Sequence, residues 1–165
     1  METVLNELAG DPVMAWQVIA LRLAGAIVLT GLIGMERELV DKSAGLRTHM
    51  LIGLAACLYS LVMLSVLDMT REHGAHIRAD PIRLIEAVTQ GVAFLAAGLI
   101  IFARGEVRGL TTGAGMWLAG AVGLACGLGL WLLAAMATGL ALVIIRFLKA
   151  LERALGTRAG RGDRG

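Results

Sequence analysis

The stretch GLTTGAGMWLAGAVGLACGLGLWLLAAMATGLALVII, from Gly109 to Ile145, runs for 37 residues without a charged side chain. As one helix it would extend ~55 Å, against a hydrocarbon core of about 30 Å, and tilt alone does not absorb that excess. The segment has to fold back on itself. Glycines at 120, 123, 127 and 129 give the densest break signal, and Gly127-Leu128-Gly129 is the expected hairpin tip. Two spans result, over about 110–126 and 129–148.

Three further uncharged runs lie upstream: Leu23 to Met35, extended to Trp16 if Arg22 is allowed, Met50 to Leu67, and Ala87 to Ala103. The sequence therefore predicts an all-α polytopic membrane bundle of five transmembrane helices, at about 16–35, 50–67, 84–103, 110–126 and 129–148. A short N-terminal segment, 1–15, precedes the bundle, and a basic tail, 149–165, follows it, with a disordered end. The composition agrees: 58% hydrophobic residues, 17% charged and a mean hydropathy of +0.78 describe a chain whose solvent is a lipid bilayer. These values argue against a soluble enzyme with a large pocket, a nucleic-acid-binding domain, a disulfide scaffold and a disordered regulator.

The basic residues test the span count independently. With five spans, one side of the membrane holds Arg71, Arg78 and Arg83. The other collects eleven, namely Arg37, Lys42, Arg47, Arg104, Arg108, Arg146, Lys149, Arg153, Arg158, Arg161 and Arg164. This asymmetry places the N-terminus outside and the C-terminus in the cytoplasm, whereas four spans would put the basic tail outside. Residues 1–12 have no positive stretch of the kind that opens a removable signal peptide. Cys57 and Cys126 fall within spans and read as small packing residues.

Polar residues beside the spans are the candidates for function. On the cytoplasmic side, Gly31-Leu-Ile-Gly34-Met-Glu36-Arg37-Glu38 leaves span one and Ala44-Gly45-Leu46-Arg47-Thr48-His49 leads into span two. The series Arg104-Gly105-Glu106-Val107-Arg108-Gly109-Leu110-Thr111-Thr112 follows span three. Since both connections lie on one face, Glu36 or Glu38 can pair with Arg47 or Arg108, and Gly34, Gly45 and Gly109 allow close backbone approach beside the charges. The alternative is a set of solvated interface charges. On the outer side, Asp80-Pro81 is an N-cap followed by the first helical position. Arg83 and Glu86 lie one turn apart and can pair with each other or with Asp80.

Arg22 sits ~9 Å along the helix from Trp16 and reads as snorkelling to the interface. A functional role would turn it into the bundle to meet Gln90 or Glu86. His73 and His76 with Asp68 and Glu72 read as a solvated loop, so neither a metal site nor a cofactor is expected. Small-residue spacings such as Thr30-xxx-Gly34, Gly109-xxx-Gly113 and Gly123-xxx-Gly127 argue for tight helix contacts, within the chain or at a homodimer seam. Nucleophile elbows, H-E-x-x-H motifs and phosphate loops do not occur, and the cores of spans two to five contain no Asp or Glu.

Taken together, the block from Gly31 to Glu38 and the series Ala44 to His49 resemble the signature of the MgtC/SapB family of bacterial inner-membrane proteins. The same holds for Asp80-Pro81-Ile82-Arg83, for Gly91-Val-Ala-Phe94-Leu-Ala-Ala-Gly98, and for Val107 to Thr112 followed by Trp117. The similarity runs over roughly residues 20 to 148. It departs from the family pattern at Ala96, where a glycine is usual, and at Gly113-Ala114-Gly115, each a small residue replacing another. The resemblance implies a multi-pass inner-membrane protein of the short, SapB-like form, without enzymatic activity. It also implies a link to Mg²⁺ homeostasis, acid or envelope stress and virulence-associated adaptation. Its matched positions are Glu36, Arg37, Gly45, Leu46, Arg47, Thr48, Asp80, Arg83, Arg108, Gly109, Thr111 and Thr112, while Gly31, Gly34, Gly45, Gly91, Gly98 and Gly109 are read as helix-packing positions. The expected function is that of a regulator whose partners are the bilayer and either a second copy of the chain or another inner-membrane complex, with no nucleic acid. The alternative is a transporter or channel for Mg²⁺ or another small ion.

Overall fold

In the computed structural model, residues 14–39, 44–72, 80–103 and 106–154 are described. They form five helices, α1 (Trp16–Glu38), α2 (Leu46–Glu72), α3 (Pro81–Leu99), α4 (Leu110–Gly127) and α5 (Trp131–Ala154). Between α3 and α4 lies a small antiparallel hairpin of β1 (Ile101–Ala103) and β2 (Glu106–Arg108). Four of the helices, Trp16–Glu38, Leu46–Met69, Pro81–Leu99 and Leu110–Gly127, are long and apolar enough to cross a membrane. The apolar part of α5, Trp131–Phe147, is shorter. Arg146 interrupts its hydrophobic run, and the preceding turn delays its start to Trp131 rather than residue 129.

The third helix also ends earlier than expected, at Leu99 instead of 103. Asp80 caps its start, the carboxylate accepting the Ile82 amide at 3.0 Å with Pro81 at the first helical position. At its far end Ile100 is extended (φ −84°, ψ 110°), and the β-branched and aromatic residues Ile101 and Phe102 pair with Arg108 and Val107. The hairpin then delivers the chain to Gly109, whose φ of +91° lies in the left-handed region. A Cβ there would collide with the Leu99 carbonyl, so the chain turns hard against the end of α3.

The expected fold-back of the long apolar run occurs one residue later than expected, at Leu128, Gly129 and Leu130. Gly129 takes a left-handed conformation (φ +78°), its amide donates to the Cys126 carbonyl (3.0 Å), and the Leu130 amide donates to that of Ala125 (2.8 Å). This is a Schellman ending, which satisfies carbonyls that the helix terminus leaves open. Arg22 completes the cap: its guanidinium donates to the Gly127 carbonyl at 2.6 Å. The residue expected to snorkel, or else to meet Gln90 or Glu86, thus reaches the negative end of α4 instead, because α1 lies beside that turn.

α4 is the hub. It touches each of the other four helices and is the most buried of them, while α3 is the least. The reason is its glycine content. A Cβ on Gly123 would strike the backbone of Gly53 in α2, one on Gly53 would strike Thr30 of α1, and one on Gly127 would meet the Cys57 carbonyl at 2.6 Å. Ser60 donates to the carbonyl of Ala56 (3.0 Å) and lies 3.4 Å from that of Leu124 across the interface. Cys57 and Cys126 are fully buried free thiols in this core. Elsewhere along α4, Gly113 and Gly120 receive Ala96 and Val92 of α3.

The crossing and the cap yield a stability prediction. In detergent micelles, Gly123→Ala is expected to cost about 1–3 kcal/mol through overpacking against Gly53. Arg22→Met should lose about 1.5–3 kcal/mol with its charged hydrogen bond. Gly139→Ala, where the added methyl meets nothing within 4 Å, should leave the thermal midpoint unchanged or slightly raised.

Candidate functional site

One end of the bundle gathers the end of α1, the start of α2 and the start of α4. Close approach is again set by glycine: a Cβ on Gly34 would lie 2.8 Å from the Leu46 Cα, 2.9 Å from the His49 Cβ and 3.0 Å from the Gly45 carbonyl. Gly31, one turn earlier, faces Met50 and Leu46. The two helices therefore meet backbone to backbone where the polar residues sit.

Glu38 has a defined role in this junction. Its carboxylate Oε2 accepts the Leu46 amide at 2.9 Å, so the last residue of α1 acts as the cap for the first amide of α2. A carboxylate there also answers the positive end of the α2 dipole. Gly45 leaves room for it, since a Cβ there would occupy the position of the Glu38 carboxylate and displace this cap. The expected pairing of a glutamate with Arg47 is replaced by this cap. Arg47 points outward and is exposed, and Thr48 is half-buried.

Deeper in the junction, Glu36 and Arg37 are each only 6% exposed, His49 is fully buried and Thr112 nearly so. His49 Nδ1 lies 2.8 Å from the Gly45 carbonyl. A carbonyl only accepts, so Nδ1 carries the proton and Nε2 points the other way. There it reaches α4: a Cβ on Gly115 would lie 3.0 Å from His49 Nε2 and 3.8 Å from Arg37 Nε. Both nitrogens are buried without a hydrogen-bond partner among the described residues. In the sequence His49 only ends the Ala44–His49 motif, and nothing there marks Gly115 as a contact. Only the crossing of α4 over α1 and α2 brings them together; a buried histidine two residues after an exposed arginine carries no such signal by itself.

The other expected positions divide. Thr111 is exposed, and Thr112, next to it, faces the interior. Arg108 lies in β2 with its side chain outside the described residues, as do Arg104 and the His73 and His76 loop, so the expected Glu36–Arg108 pairing falls outside them too. At the opposite end Asp80 caps α3, while Arg83 and Glu86 are exposed and form no enclosed site. Gly91 and Gly98, expected at helix contacts, meet nothing within 4 Å among the described residues, because the face of α3 that carries them turns away from α4. Among the described residues no group of three His, Cys, Asp or Glu could hold a metal ion.

The junction predicts a graded series. Glu38→Ala is expected to cost about 1 kcal/mol through loss of the α2 cap, with Glu38→Gln intermediate. Gly45→Val, which cannot share the space of the carboxylate, should cost more than either by thermal unfolding.

Comparison with known proteins agrees with this architecture. The profile of the MgtC family matches residues 23–154. The chain is 39% identical over 107 residues to the "Putative magnesium transporter YhiD" of Escherichia coli K12, covering 62% of this chain and 47% of that protein. It is 36% identical over 139 residues to "Protein MgtC" of Brucella abortus, covering 84% and 55%. With "Protein SapB" of Bacillus subtilis it shares 32% identity over 147 residues, covering 87% and 63%. The chain thus spans about half to three-fifths of the length of these relatives. No solved structure shows a significant match. On the strength of a profile that extends from α1 through α5 and takes in the glycine-packed polar junction, the chain belongs to the MgtC/SapB family of membrane proteins.

Proposed function

We propose that this protein is a non-enzymatic, multi-pass protein of the bacterial inner membrane that acts as a regulator by associating with other membrane protein, in adaptation to Mg²⁺ limitation, acid or envelope stress. The observation that supports this reading best is the contrast between the two polar regions. The α1/α2/α4 junction is closed by glycine-to-backbone contacts, and Arg37 puts a permanent positive charge beside the His49 ring. That environment is poorly suited to a divalent cation. The polar residues of α3, by contrast, face outward from the bundle. An outward polar face in lipid suits association with another protein.

With α5 as a fifth crossing, the basic residues favour an outside N-terminus and a cytoplasmic polar junction. The second reading, transport of Mg²⁺ or another small ion, is supported by the name carried by the E. coli relative.

Three measurements separate these readings. Purified protein in liposomes is expected to give no Mg²⁺ flux above protein-free vesicles; flux that disappears in Glu36→Gln or Asp80→Asn would establish transport instead. In cells, Gly34→Leu should abolish complementation of a low-Mg²⁺ growth defect, because Leu46 and His49 leave no room for the side chain. Maleimide labelling of intact cells should modify Glu72→Cys and leave Arg47→Cys protected; the reverse pattern would invert the orientation.

A further inference from the structure

In α3, each residue turns the helix by ~100°, so Arg83, Glu86, Gln90, Phe94 and Gly98 fall on one strip roughly 120° wide. Every one of them is exposed. The opposite side carries Val92 and Ala96, buried against Gly120 and Gly113 of α4. A helix that crosses a membrane and packs on a bundle usually turns its polar residues inward. α3 does the reverse. Gln90 is the tenth of its 19 residues, near the middle of the hydrocarbon, and Glu86 lies one turn closer to the end. A primary amide facing acyl chains there has neither water nor lipid to bond with.

We propose that this strip is the seam of a homodimer, with α3 of one copy packed parallel against α3 of a second copy about a two-fold axis along the bilayer normal. The proposal deepens the association reading above by naming the partner. All copies share one membrane orientation, so such an axis brings Gln90 opposite Gln90. The amide is self-complementary, each side chain donating to the carbonyl of the other. Arg83 and Glu86 are opposite charges one turn apart, so each pairs with the other residue of the second copy and the strip carries no net charge across the seam. Charge complementarity thus favours a second copy of the chain over an unrelated helix.

Shape agrees. Gly91 and Gly98 are open, allowing close helix approach. Beside Gly91 a groove of about 400 Å³ runs between α2 and α3, lined by residues that include Ala55, Tyr59, Ala87 and Leu95. Phe94, 80% exposed, stands next to it as the knob that enters the groove of the second copy.

The test uses the full chain in phosphatidylethanolamine/phosphatidylglycerol vesicles, where Cys57 and Cys126 are buried. A bifunctional maleimide should link Ala87→Cys into dimers and leave Leu132→Cys, on the exposed face of α5, monomeric. Gln90→Leu should weaken association about tenfold in a dilution series across protein-to-lipid ratios. Arg83→Glu and Glu86→Arg should each weaken it, and the two together should restore it. Monomers at every ratio, equal linkage through Leu132→Cys, no effect of Gln90→Leu, or linkage of Ala87→Cys only to a different protein in native membranes would each overturn the seam. Ion flux would overturn the regulator reading and leave the dimer standing, so the two failures are distinguishable.

Discussion

The bundle depends on the approach of backbone to backbone at Gly53 and Gly123, where α2 and α4 cross with no side chain between them. In lipid, burial of apolar surface gives no net drive for helices to associate, since acyl chains are as apolar as leucine. What remains is dense van der Waals contact and the few hydrogen bonds that close approach permits. Ser60 near the Leu124 carbonyl is one such contact, and the Arg22 cap on Gly127 a bond at the same end of α4. Both become possible because α4 offers glycine on more than one side.

The same constraint shapes the polar junction. Charges at a membrane boundary would ordinarily be free to face water. Here Gly34, Gly45 and Gly115 draw α1, α2 and α4 so close that Arg37 and His49 are enclosed, and Glu38 is committed to the first amide of α2. The junction therefore couples the packing of three helices to a small set of polar atoms. A change in any one glycine alters the surroundings of all of them, which gives the region a structural role whatever else it does.

α3 follows a different logic. It is tied to α4 through Ala96 and Val92 on small glycine contacts, capped at its start by Asp80, and ended by residues that prefer extended backbone. Its polar and small residues then point away from the chain that carries them. Within one molecule this arrangement leaves an amide and two charges without the enclosure that Arg37, His49 and Thr112 have found.

Much of this was written in the sequence. The length of the uncharged run from Gly109 to Ile145 required a turn near Gly127, since a single helix would overrun the hydrocarbon, and Asp80-Pro81 fixed the start of α3 through local hydrogen bonding alone. The polar motifs from Gly31 to Glu38 and from Ala44 to His49 marked one end of the bundle, and their order carried the family likeness. Local chemistry could not reveal which polar atoms meet. Glu38 chose a backbone amide eight residues on over an arginine, and across a long sequence separation Arg22 found the end of α4 and His49 with Arg37 converged on Gly115. Gly91 and Gly98, read as packing positions, were left open. Composition and periodicity fix how many helices there are and where they turn, because those depend on bilayer thickness and short-range hydrogen bonds. Which face of each helix is enclosed depends on how the helices cross, and that was decided only by the tertiary structure.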